Sequence, residues 1–323
     1  MTASPDQPTA ATLAPAERLW IVSPMLHDTE SMLRLRTETA AACRAAGIAR
    51  EIRHLVIDDS AGTDREADQL RALPDVEVLV PPFNLGHQRA IVFGLRHLRP
   101  RLAADDVVVT MDSDGEDQPV DVPRLVHALD ADRVPLAIAQ RTKRSEPLRF
   151  RLMYLVFRTM FRVLTGTTVR SGNFAAQRAA SLDVTIDHPS FDLCYSSSLL
   201  ALRRPTTKVP CARGQRFAGR SRMSSYSLIA HGMRMLLPFS ERIAVRMMVV
   251  SVATFAAMVV DLGLLVGGAF GEHPGWAAIS LLVVLVTVFL ATFTGFVVLF
   301  SGFAQASAVA MKGIGVPEPD PAS

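Results

Sequence analysis

The chain has 323 residues, of which 49% are hydrophobic and 20% are charged, and its mean hydropathy is +0.25. Together these values are high for a wholly soluble protein and fit a chain that is part soluble and part membrane-embedded. The three cysteines have no metal-ligand or redox spacing, and their odd number argues against a disulfide framework. We therefore expect the protein to work in a reducing cytosol.

The net charge of +3 is distributed unevenly along the chain. Residues 1–140 carry 22 acidic and 14 basic side chains, residues 141–246 carry 5 and 19, and the remainder carries 4 and 1. A basic segment that leads directly into an apolar one suits an anionic membrane surface or phosphate-bearing ligands. Because no nucleic-acid-binding motif or interleaving of aromatic and basic residues accompanies it, we predict no nucleic-acid partner.

Short apolar runs alternate with longer amphipathic stretches along the first half of the chain. Residues 1–17 lack the basic and apolar regions of a signal peptide and predict a disordered leader. Five strands are predicted, at Leu19–Ser23, His54–Ile57, Val76–Val80, Val107–Met111 and Pro135–Ala139. Four helices are predicted between them, at Glu30–Ala46, Arg65–Ala72, His87–Leu98 and Pro123–Leu129. This alternation predicts an α/β fold with a doubly wound, mostly parallel sheet, in which ligands bind where the strands end.

Acidic residues directly follow two of the predicted strands. Asp58-Asp59-Ser60 comes after the second strand, and the segment from Asp112 to Asp117 comes after the fourth. Carboxylates at alternate positions past a strand, such as Asp112 and Asp114, can converge on one divalent cation together with a pyrophosphate. The alternative is an acidic turn that caps the helix starting near Pro123.

A loop lies between these two acidic edges. The segment Asn84–Gln88 leads into the third predicted helix. Backbone N–H groups at a helix N-terminus can bind an anion, so this segment is a candidate phosphate site. An ordinary connecting loop is the alternative.

Two apolar segments near the C-terminus predict a transmembrane hairpin. The only charge between 247 and 269 is Asp261, and 275–311 has none, so each exceeds the roughly 20 residues that a spanning helix needs. We place the spans at about 247–269 and 276–300. Three arginines precede the first span, Lys312 follows the second and the connection has no Lys or Arg, so both ends are predicted to be cytoplasmic. A helical pair in a soluble core is the alternative, and one interpretation of Asp261 is a contact in a homo-oligomer.

The order of these segments resembles the family 2 inverting glycosyltransferases of the A fold. The closest resemblance is to the polyprenol-phosphate branch, which includes dolichol-phosphate mannosyltransferase. Ser23–Asp28 is similar to the Pro-Val-Tyr-Asn-Glu loop that cups the nucleotide base, although Leu26, His27 and Asp28 replace its last three residues. Asp58-Asp59-Ser60 is similar to the nucleotide-binding Asp-Asp motif, and Asn84–Leu95 to the Asn-x-Gly loop and its helix. The resemblance implies that the donor nucleotide is bound by Pro24, Asp28, Asp58, Asp59, Gly86, His87 and Gln88.

The acidic segment also resembles the family's metal motif. Asp112-Ser-Asp-Gly-Glu-Asp-Gln-Pro119 stands where the family has Asp-Ala-Asp-Leu-Gln-Asp-Pro-Pro. This implies a Mg²⁺ or Mn²⁺ ion at Asp112 and Asp114, with Glu116 as a further ligand. Because Glu116 replaces a glutamine, it adds a negative charge to the metal shell.

The resemblance continues through the basic segment. Arg149–Val163 resembles the family's helices on the membrane surface, which implies interfacial helices near 147–165. Gly172-Asn173-Phe174 resembles a Gly-Asp-Phe segment, and Arg216–Arg222 resembles an Arg-x-x-Gly-x-Ser-Lys loop that closes over the active site. In this interpretation arginines hold the two anionic reactants, and Asp117 orients the acceptor or acts as a base. The implied catalytic residues are Asp112, Asp114, Asp117, Arg141, Arg149, Arg216 and Arg222.

The resemblance covers about residues 19–311 and implies both an arrangement and a reaction. A cytoplasmic catalytic domain at 18–232 precedes a juxtamembrane and transmembrane part at 233–311 and a cytoplasmic tail at 312–323. The implied location is the inner (plasma) membrane. The implied reaction is inverting transfer of a sugar from a nucleotide-diphosphate sugar to a polyprenyl phosphate, either undecaprenyl or dolichyl, at the cytoplasmic face of the bilayer.

Two other functions compete with this one. The first is transfer to a hydroxyl of a membrane lipid or polysaccharide, and it is disfavoured because only two spans are predicted and the Gln-x-x-Arg-Trp motif of processive synthases is missing. The second is a catalytically inactive membrane-bound adaptor of the same fold. It is disfavoured by the joint presence of Asp59, Asp112, Asp114 and Arg216.

Overall fold

The computed structural model describes most of the chain up to residue 266. The described residues are 17–142, 148–169, 171–218 and 225–266, followed by 275, 279–281, 283–291, 293–295, 297–298 and 302. The predicted leader apart from Glu17, and the whole predicted tail, lie outside them.

The described residues contain one mixed β-sheet. Its strands are β1 (Arg18–Met25), β2 (Glu51–Asp58), β3 (Val76–Leu79), β4 (Val107–Thr110), β5 (Leu136–Arg141), β6 (Ala175–Arg178) and β7 (Thr206–Cys211). Their order across the sheet is β3-β2-β1-β4-β6-β5-β7. Only β6 runs antiparallel to its neighbours, β4 and β5, while the other adjacent pairs are parallel. The predicted α/β fold with a mostly parallel sheet is confirmed.

Helices connect these strands and continue beyond the last of them. The helices of the first half are α1 (Thr29–Ala45), α2 (Asp68–Arg71), α3 (His87–Leu98) and α4 (Val122–Ala131). Those of the second half are α5 (Leu148–Thr165), α6 (Ala179–Thr185), α7 (Ser190–Leu193), α8 (Tyr195–Ala201), α9 (Ser225–Leu236) and α10 (Ser240–Val266). The five predicted strands and three of the four predicted helices are present with small shifts at their ends. The predicted helix Arg65–Ala72 is divided into a 3₁₀ turn (Arg65–Ala67) and α2.

Side-chain alternation along the strands builds a core on each face of the sheet. Leu19 and Ile21 of β1 are buried in a cluster with residues of α1 and α4, whereas Trp20 and Val22 are buried in a cluster with residues of α3 and α8. Successive strand residues point to opposite faces, so an eight-residue apolar strand such as β1 serves both layers. Because helices cover both faces, functional side chains are directed to the ends of the strands.

A third apolar cluster lies beyond the sheet, where α5 meets α10. Phe161 of α5 is fully buried and packs edge-on against Phe239, with ring centroids 5.4 Å apart. Many large apolar side chains of α10 are exposed, among them Val249, Val252 and Phe255. No helix among the described residues is both long enough and apolar enough to cross a membrane. The predicted spans at 247–269 and 276–300 stay predictions, and part of each lies outside the described residues.

Candidate active site

Parallel pairing brings the ends of β1, β2 and β4 to one edge of the sheet. Met25 is opposite Asp58 in the register of β1 and β2, and the Asp59 N–H donates to the Met25 carbonyl at 2.9 Å. On the other side of β1, the Met111 N–H donates to the Val22 carbonyl at 3.1 Å. The two acidic segments that the sequence places after β2 and β4 therefore flank the end of β1.

The first acidic pair organises the loop before α3. The Asp59 carboxylate accepts the N–H groups of Leu85 and Gly86 at 2.6 and 2.9 Å, and the Asn84 amide donates to the Asp59 carbonyl at 2.8 Å. Burial raises the pKa of Asp59. Asp58 is fully buried, and its Oδ2 has no hydrogen-bond partner among the described residues. Asp59 thus fixes the loop that places α3.

The other residues of the predicted nucleotide site lie around this pair. Pro24 is buried in β1 opposite Ile57, and Asp28 is the partly buried residue that precedes α1. Gly86 adopts a φ of +76°, which glycine reaches without strain, and this conformation turns the chain into α3. The structure therefore brings Pro24, Asp28, Asp58, Asp59 and Gly86 to one region.

The first turn of α3 connects the two acidic segments. His87 Nε2 lies 2.5 Å from Asp112 Oδ1, and Gln88 Nε2 lies 3.0 Å from His87 Nδ1. The Gln88 Oε1 accepts the Ser196 N–H at 2.9 Å. Because a backbone N–H can only donate, the Gln88 oxygen must face Ser196 and its NH₂ must face His87. His87 Nδ1 then accepts a hydrogen bond from the Gln88 NH₂ group, and the His87 Nε2–H group donates a hydrogen bond to Asp112.

Asp112 receives a second hydrogen bond on the same oxygen. Asn173 Nδ2 donates to Asp112 Oδ1 at 2.8 Å, while Asp112 Oδ2 has no hydrogen-bond partner among the described residues. Although burial opposes it, the hydrogen bonds from His87 and Asn173 and the positive charge of Arg141 hold the pKa of Asp112 below its usual range. The Asp117 carboxylate accepts the Asp112 N–H at 3.1 Å and lies 3.6 Å from Arg141 Nη2. Burial, reinforced by the charge of Asp112, raises the pKa of Asp117.

The segment after β7 lies directly on the acidic loop. The N–H groups of Gly214 and Phe217 donate to the carbonyls of Glu116 and Asp114 at 2.8 and 2.9 Å. Arg216 Nη2 lies 2.8 Å from Asp114 Oδ2, and its Nε lies 3.3 Å from Glu116 Oε1. Arg213 also pairs with Glu116. A five-residue segment thus delivers two guanidinium groups to the carboxylates.

The carboxylates repel one another in a way that a cation would relieve. Burial and the neighbouring charge of Asp112 raise the pKa of Asp114 to about 6. Among the described residues no three His, Cys, Asp or Glu side chains are arranged to enclose a metal ion. However, Mg²⁺ is usually held by one or two carboxylates plus substrate phosphates rather than by a protein cage. The hard oxygen donors of Asp112 and Asp114, one with a free Oδ2, fit that kind of site.

The acidic segment does not cap the following helix. The residue that precedes α4 is Asp121, and its side chain makes no capping hydrogen bond. Within the acidic segment, the Asp114 carboxylate instead accepts the Glu116 N–H at 2.9 Å. The structure therefore gives no support to the alternative of a helix-capping turn.

Two of the four predicted arginines are placed by the structure. Arg141 and Arg216 lie at the carboxylates, as described above. Arg149 is in the first turn of α5, but its side chain lies outside the described residues, as does Arg222 altogether. Their assignment stays a prediction.

Several residues at this site do not follow from the sequence patterns. Arg213 belongs to no motif, and its only signal is its position three residues before Arg216. Ser196 contributes a backbone N–H that no sequence pattern reveals. Burial lowers the pKa of His231 in α9.

Comparison with known proteins identifies the domain. Residues 35–193 match the family model described as Glycosyl transferase family 2. The chain carries a family 2 glycosyltransferase domain. The matched region contains the loop before α3 and the whole acidic segment, so the family resemblance drawn from the sequence motifs is confirmed.

Two curated relatives of this chain share one name. A protein of Edwardsiella ictaluri is 32% identical over 115 residues, which are 34% of this chain and 33% of that protein. A protein of Salmonella paratyphi A is 26% identical over 226 residues, which are 67% of this chain and 65% of that protein. Both are named undecaprenyl-phosphate 4-deoxy-4-formamido-L-arabinose transferase. The match spans about a third of the first relative and just under two thirds of the second.

Solved structures with detectable similarity include glucosyl-3-phosphoglycerate synthase from Mycobacterium tuberculosis. Its complex with Mn²⁺, uridine diphosphate and glucosyl-3-phosphoglycerate is 18% identical to this chain, with a TM-score of 0.45. The match covers 70% of this chain and 80% of that one.

Proposed function

We propose that this protein transfers a sugar, with inversion, from a nucleotide-diphosphate sugar to a polyprenyl phosphate. The observation that carries the proposal is the cluster of Asp112, Asp114 and Asp117 with Arg141 and Arg216 at the strand ends of a family 2 domain. Both curated relatives are named for an undecaprenyl-phosphate acceptor, which supports the same acceptor class here. The sugar named for the relatives is not carried over.

The proposed reaction is a single displacement. An oxygen of the acceptor phosphate forms a bond to the anomeric carbon, while the bond from that carbon to the donor's diphosphate oxygen breaks and its electron pair leaves with the nucleoside diphosphate. A phosphate monoester has a second pKa of about 6, so the acceptor is mostly dianionic at neutral pH and needs little help from a base. Two anionic reactants must instead be held close together, and Arg141 and Arg216 are placed to do this.

A divalent cation completes the proposed site. When bound, Mg²⁺ or Mn²⁺ supplies positive charge that stabilises the departing diphosphate. Asp112 and Asp114 would hold it, with Glu116 as a further candidate ligand. His87 and Asn173 both donate to Asp112 Oδ1, so Oδ2 would be the oxygen that binds the cation. Asp117 is proposed to orient the acceptor, supported by its position 3.6 Å from Arg141.

The proposed acceptor is a lipid, so we place the site at the cytoplasmic face of the inner membrane, anchored by spans at 247–269 and 276–300. The exposed apolar side chains of α10 support contact with lipid.

A His273→Cys variant tests the topology of the proposed hairpin. A membrane-impermeant maleimide should label this cysteine when it is added from outside the cell, because the connection between the spans is proposed to lie there. The native Cys43, Cys194 and Cys211 are buried and give a low background. Labelling only after the membrane is opened would contradict this arrangement.

The reaction is tested with membranes that contain the full chain. They are incubated with radiolabelled UDP-, GDP- and dTDP-sugars, polyprenyl phosphate and Mg²⁺ or Mn²⁺, and the lipid is then extracted. We expect an acid-labile, metal-dependent lipid product that Asp114→Ala abolishes and Asp105→Ala, a change at an exposed carboxylate, leaves intact. An acid-stable product would favour a hydroxyl acceptor, and no product from any donor would favour the inactive adaptor.

A further inference from the structure

A cavity at the C-terminal end of α5 is lined by two arginines. It has a volume of about 490 Å³ and is lined by Arg158, Thr159, Arg162, Val163 and Thr168. Neither guanidinium has a hydrogen-bond or ion-pair partner among the described residues, and neither threonine hydroxyl has one. None of these residues belongs to the carboxylate site, so the proposed sugar transfer does not account for the cavity.

The backbone around the cavity is shaped by a sharp turn. Gly166 ends α5 with a φ of +73°, and its N–H donates to the Arg162 carbonyl at 2.8 Å. The chain then reverses and brings Thr168 alongside the last turns of the helix. A Cβ on Gly166 would lie 2.6 Å from Arg246 Nη2, so the turn both requires glycine and places a third guanidinium beside the cavity.

The electrostatic surroundings favour an anion. The sequence has no Asp or Glu between residues 147 and 182, and α9, which packs against α5, has none either. In the first five turns of α10, which also contacts α5, Glu241 is the only acidic residue. Arg158 and Arg162 lie one turn apart, so their side chains project from the same face of α5. Guanidinium groups and hydroxyls together are suited to bind phosphate oxygens.

An apolar surface borders the cavity on the solvent side of α5. Leu155, Val156, Met160 and Val163 are exposed, and Val163, which also lines the cavity, keeps 65% of its surface accessible. At 100° per residue these side chains occupy the sector next to the arginines, while Phe157 and Phe161 face the opposite side and pack inward. A free phosphate ion would leave this surface in water, whereas a lipid would cover it.

We propose that this cavity binds the phosphate of an anionic lipid headgroup, with the acyl chains against the exposed face of α5. The chemistry it recognises is a phosphate that carries an apolar tail. Arg158 and Arg162 contact the phosphate, and Thr168 donates a hydrogen bond to it. This site is separate from the acceptor site of the proposed reaction and holds the domain at a defined depth and orientation on the bilayer surface.

The test compares ligands that differ in one part at a time. The full chain in a non-ionic detergent is titrated by calorimetry with dioctanoyl phosphatidic acid, with dioctanoylglycerol, which lacks the phosphate, and with glycerol 3-phosphate, which lacks the tails. We expect phosphatidic acid to bind at least about ten-fold more tightly than either of the others. Equal binding of glycerol 3-phosphate would overturn the lipid assignment, and equal binding of dioctanoylglycerol would overturn the phosphate assignment.

Variants locate the binding to the cavity. Arg158→Gln/Arg162→Gln should weaken phosphatidic acid binding at least about ten-fold. The control Arg44→Gln/Arg65→Gln removes two exposed arginines elsewhere and should leave binding unchanged. Unaltered binding by the first double variant contradicts the proposal. If its unfolding temperature shows that it does not fold, the two single variants replace it. No sugar donor is present, so failure here is distinguishable from failure of the proposed transfer.

Discussion

At the scale of single residues, the Gln88 amide decides which nitrogen of His87 carries the proton. Two influences meet at this imidazole. Although burial opposes it, the charge of Asp112 raises the pKa of His87, whereas the Gln88 NH₂ facing Nδ1 disfavours a proton there. A neutral imidazole with its proton on Nε2 satisfies both neighbours. Gln88 is therefore a positioning residue for the carboxylate that is proposed to hold the cation.

Replacing Gln88 should change both the histidine and the reaction. In Gln88→Leu the Nδ1 nitrogen loses its donor, and we expect a changed ¹⁵N shift of His87 in the histidine-labelled full chain. Loss of a group that orients a metal ligand typically lowers metal affinity or activity about 10- to 100-fold, and we expect a loss of that size in the rate of sugar transfer. Gln69→Leu, a change at an exposed position of α2, is the control. An unchanged His87 signal in Gln88→Leu would refute the assigned tautomer.

How far the sequence predicts the site depends on where each partner lies in the chain. Asp58, Asp59 and Asp112 follow strands directly, and parallel pairing alone places such residues at one edge. Asn173 and Ser196 reach the same place through β6 and α8, and neither their distance nor their register with β4 follows from a local pattern. The sequence alone therefore does not predict that Asn173 and Ser196 contact the site.

At the scale of elements, the position of Phe217 depends on a glycine in the acidic loop. Gly115 has a φ of +83°, and a Cβ there would lie 2.7 Å from the Phe217 ring. The ring also contacts the Arg34 guanidinium, whose carbon lies 4.2 Å from the ring centroid. This close approach adds a packing contact to the hydrogen bonds and ion pairs that join the acidic loop to the segment that delivers Arg213 and Arg216.

Gly115→Ala should separate these two segments. Gly47 provides a matched control, because its φ is +72° but no atom lies within 4 Å of the position that a Cβ would take there. Gly47→Ala should cost about 1 kcal/mol of unfolding free energy from backbone strain alone. Gly115→Ala should cost at least about 1 kcal/mol more, because the ring must move, and should also slow sugar transfer. Equal stability and equal rates in the two variants would contradict this contact's role, as judged by chemical denaturation and the transfer assay.

The helices on the α3 side of the sheet are joined by a buried ion pair. Arg96 Nη1 and Nη2 lie 2.5 and 2.9 Å from the two oxygens of Asp192, whose side chain is fully buried. This pair links α3 to α7. The next helix, α8, contains Ser196, whose N–H donates to Gln88. By contrast Arg99, just beyond the end of α3, pairs with Asp183 and Asp187, which are both largely exposed.

This contrast predicts very different costs for two similar substitutions. Arg96→Met leaves a buried carboxylate without its partner and should lower the unfolding free energy by about 3–5 kcal/mol. Arg99→Met removes only exposed pairs and should cost less than about 1 kcal/mol. Arg96→Met/Asp192→Asn should recover part of the loss. Chemical denaturation checks all three, and similar costs for Arg96→Met and Arg99→Met would show that burial of Asp192 does not matter.

The strands that were not predicted show the limit of local patterns. β6 (Ala175–Arg178) contains two alanines and no β-branched residue, so it has little intrinsic strand preference. It forms because its backbone pairs with β4 and β5. β7 (Thr206–Cys211) contains Pro210, which a sheet accepts because β7 is an edge strand. By contrast β1, β2 and β4 are predictable because they are buried on both faces and read as continuous apolar runs.

At the scale of the whole molecule, the division of charge along the sequence corresponds to a division in the structure. The acidic half supplies the carboxylates at the strand ends. The basic segment then supplies Arg141, Arg213 and Arg216 to those carboxylates, and Arg158 and Arg162 to the separate cavity on α5. Composition predicts that the two charge types are separated along the chain. The fold decides which arginines pair with carboxylates and which, such as Arg158 and Arg162, have no ion-pair partner among the described residues.

The stability of the whole fold should fall at mildly acidic pH because of one buried histidine. His54 in β2 is fully buried, and neither ring nitrogen has a hydrogen-bond partner among the described residues. Burial lowers the pKa of His54 to about 4, whereas an unfolded histidine titrates near pH 6.5. Below pH 6.5 the unfolded chain binds a proton that the folded chain rejects, so stability is lost as the pH falls from 6.5 towards 4.

Between pH 7 and pH 5 this difference amounts to about 2 kcal/mol of unfolding free energy. His54→Leu removes the titrating group and should flatten the pH dependence by that amount. His127→Leu, a change at an exposed histidine of α4, should leave the dependence unchanged. Denaturation of the three proteins at both pH values measures the difference, and other groups cancel because they are common to all. If His54→Leu loses as much stability as the native chain on acidification, His54 does not carry the pH dependence.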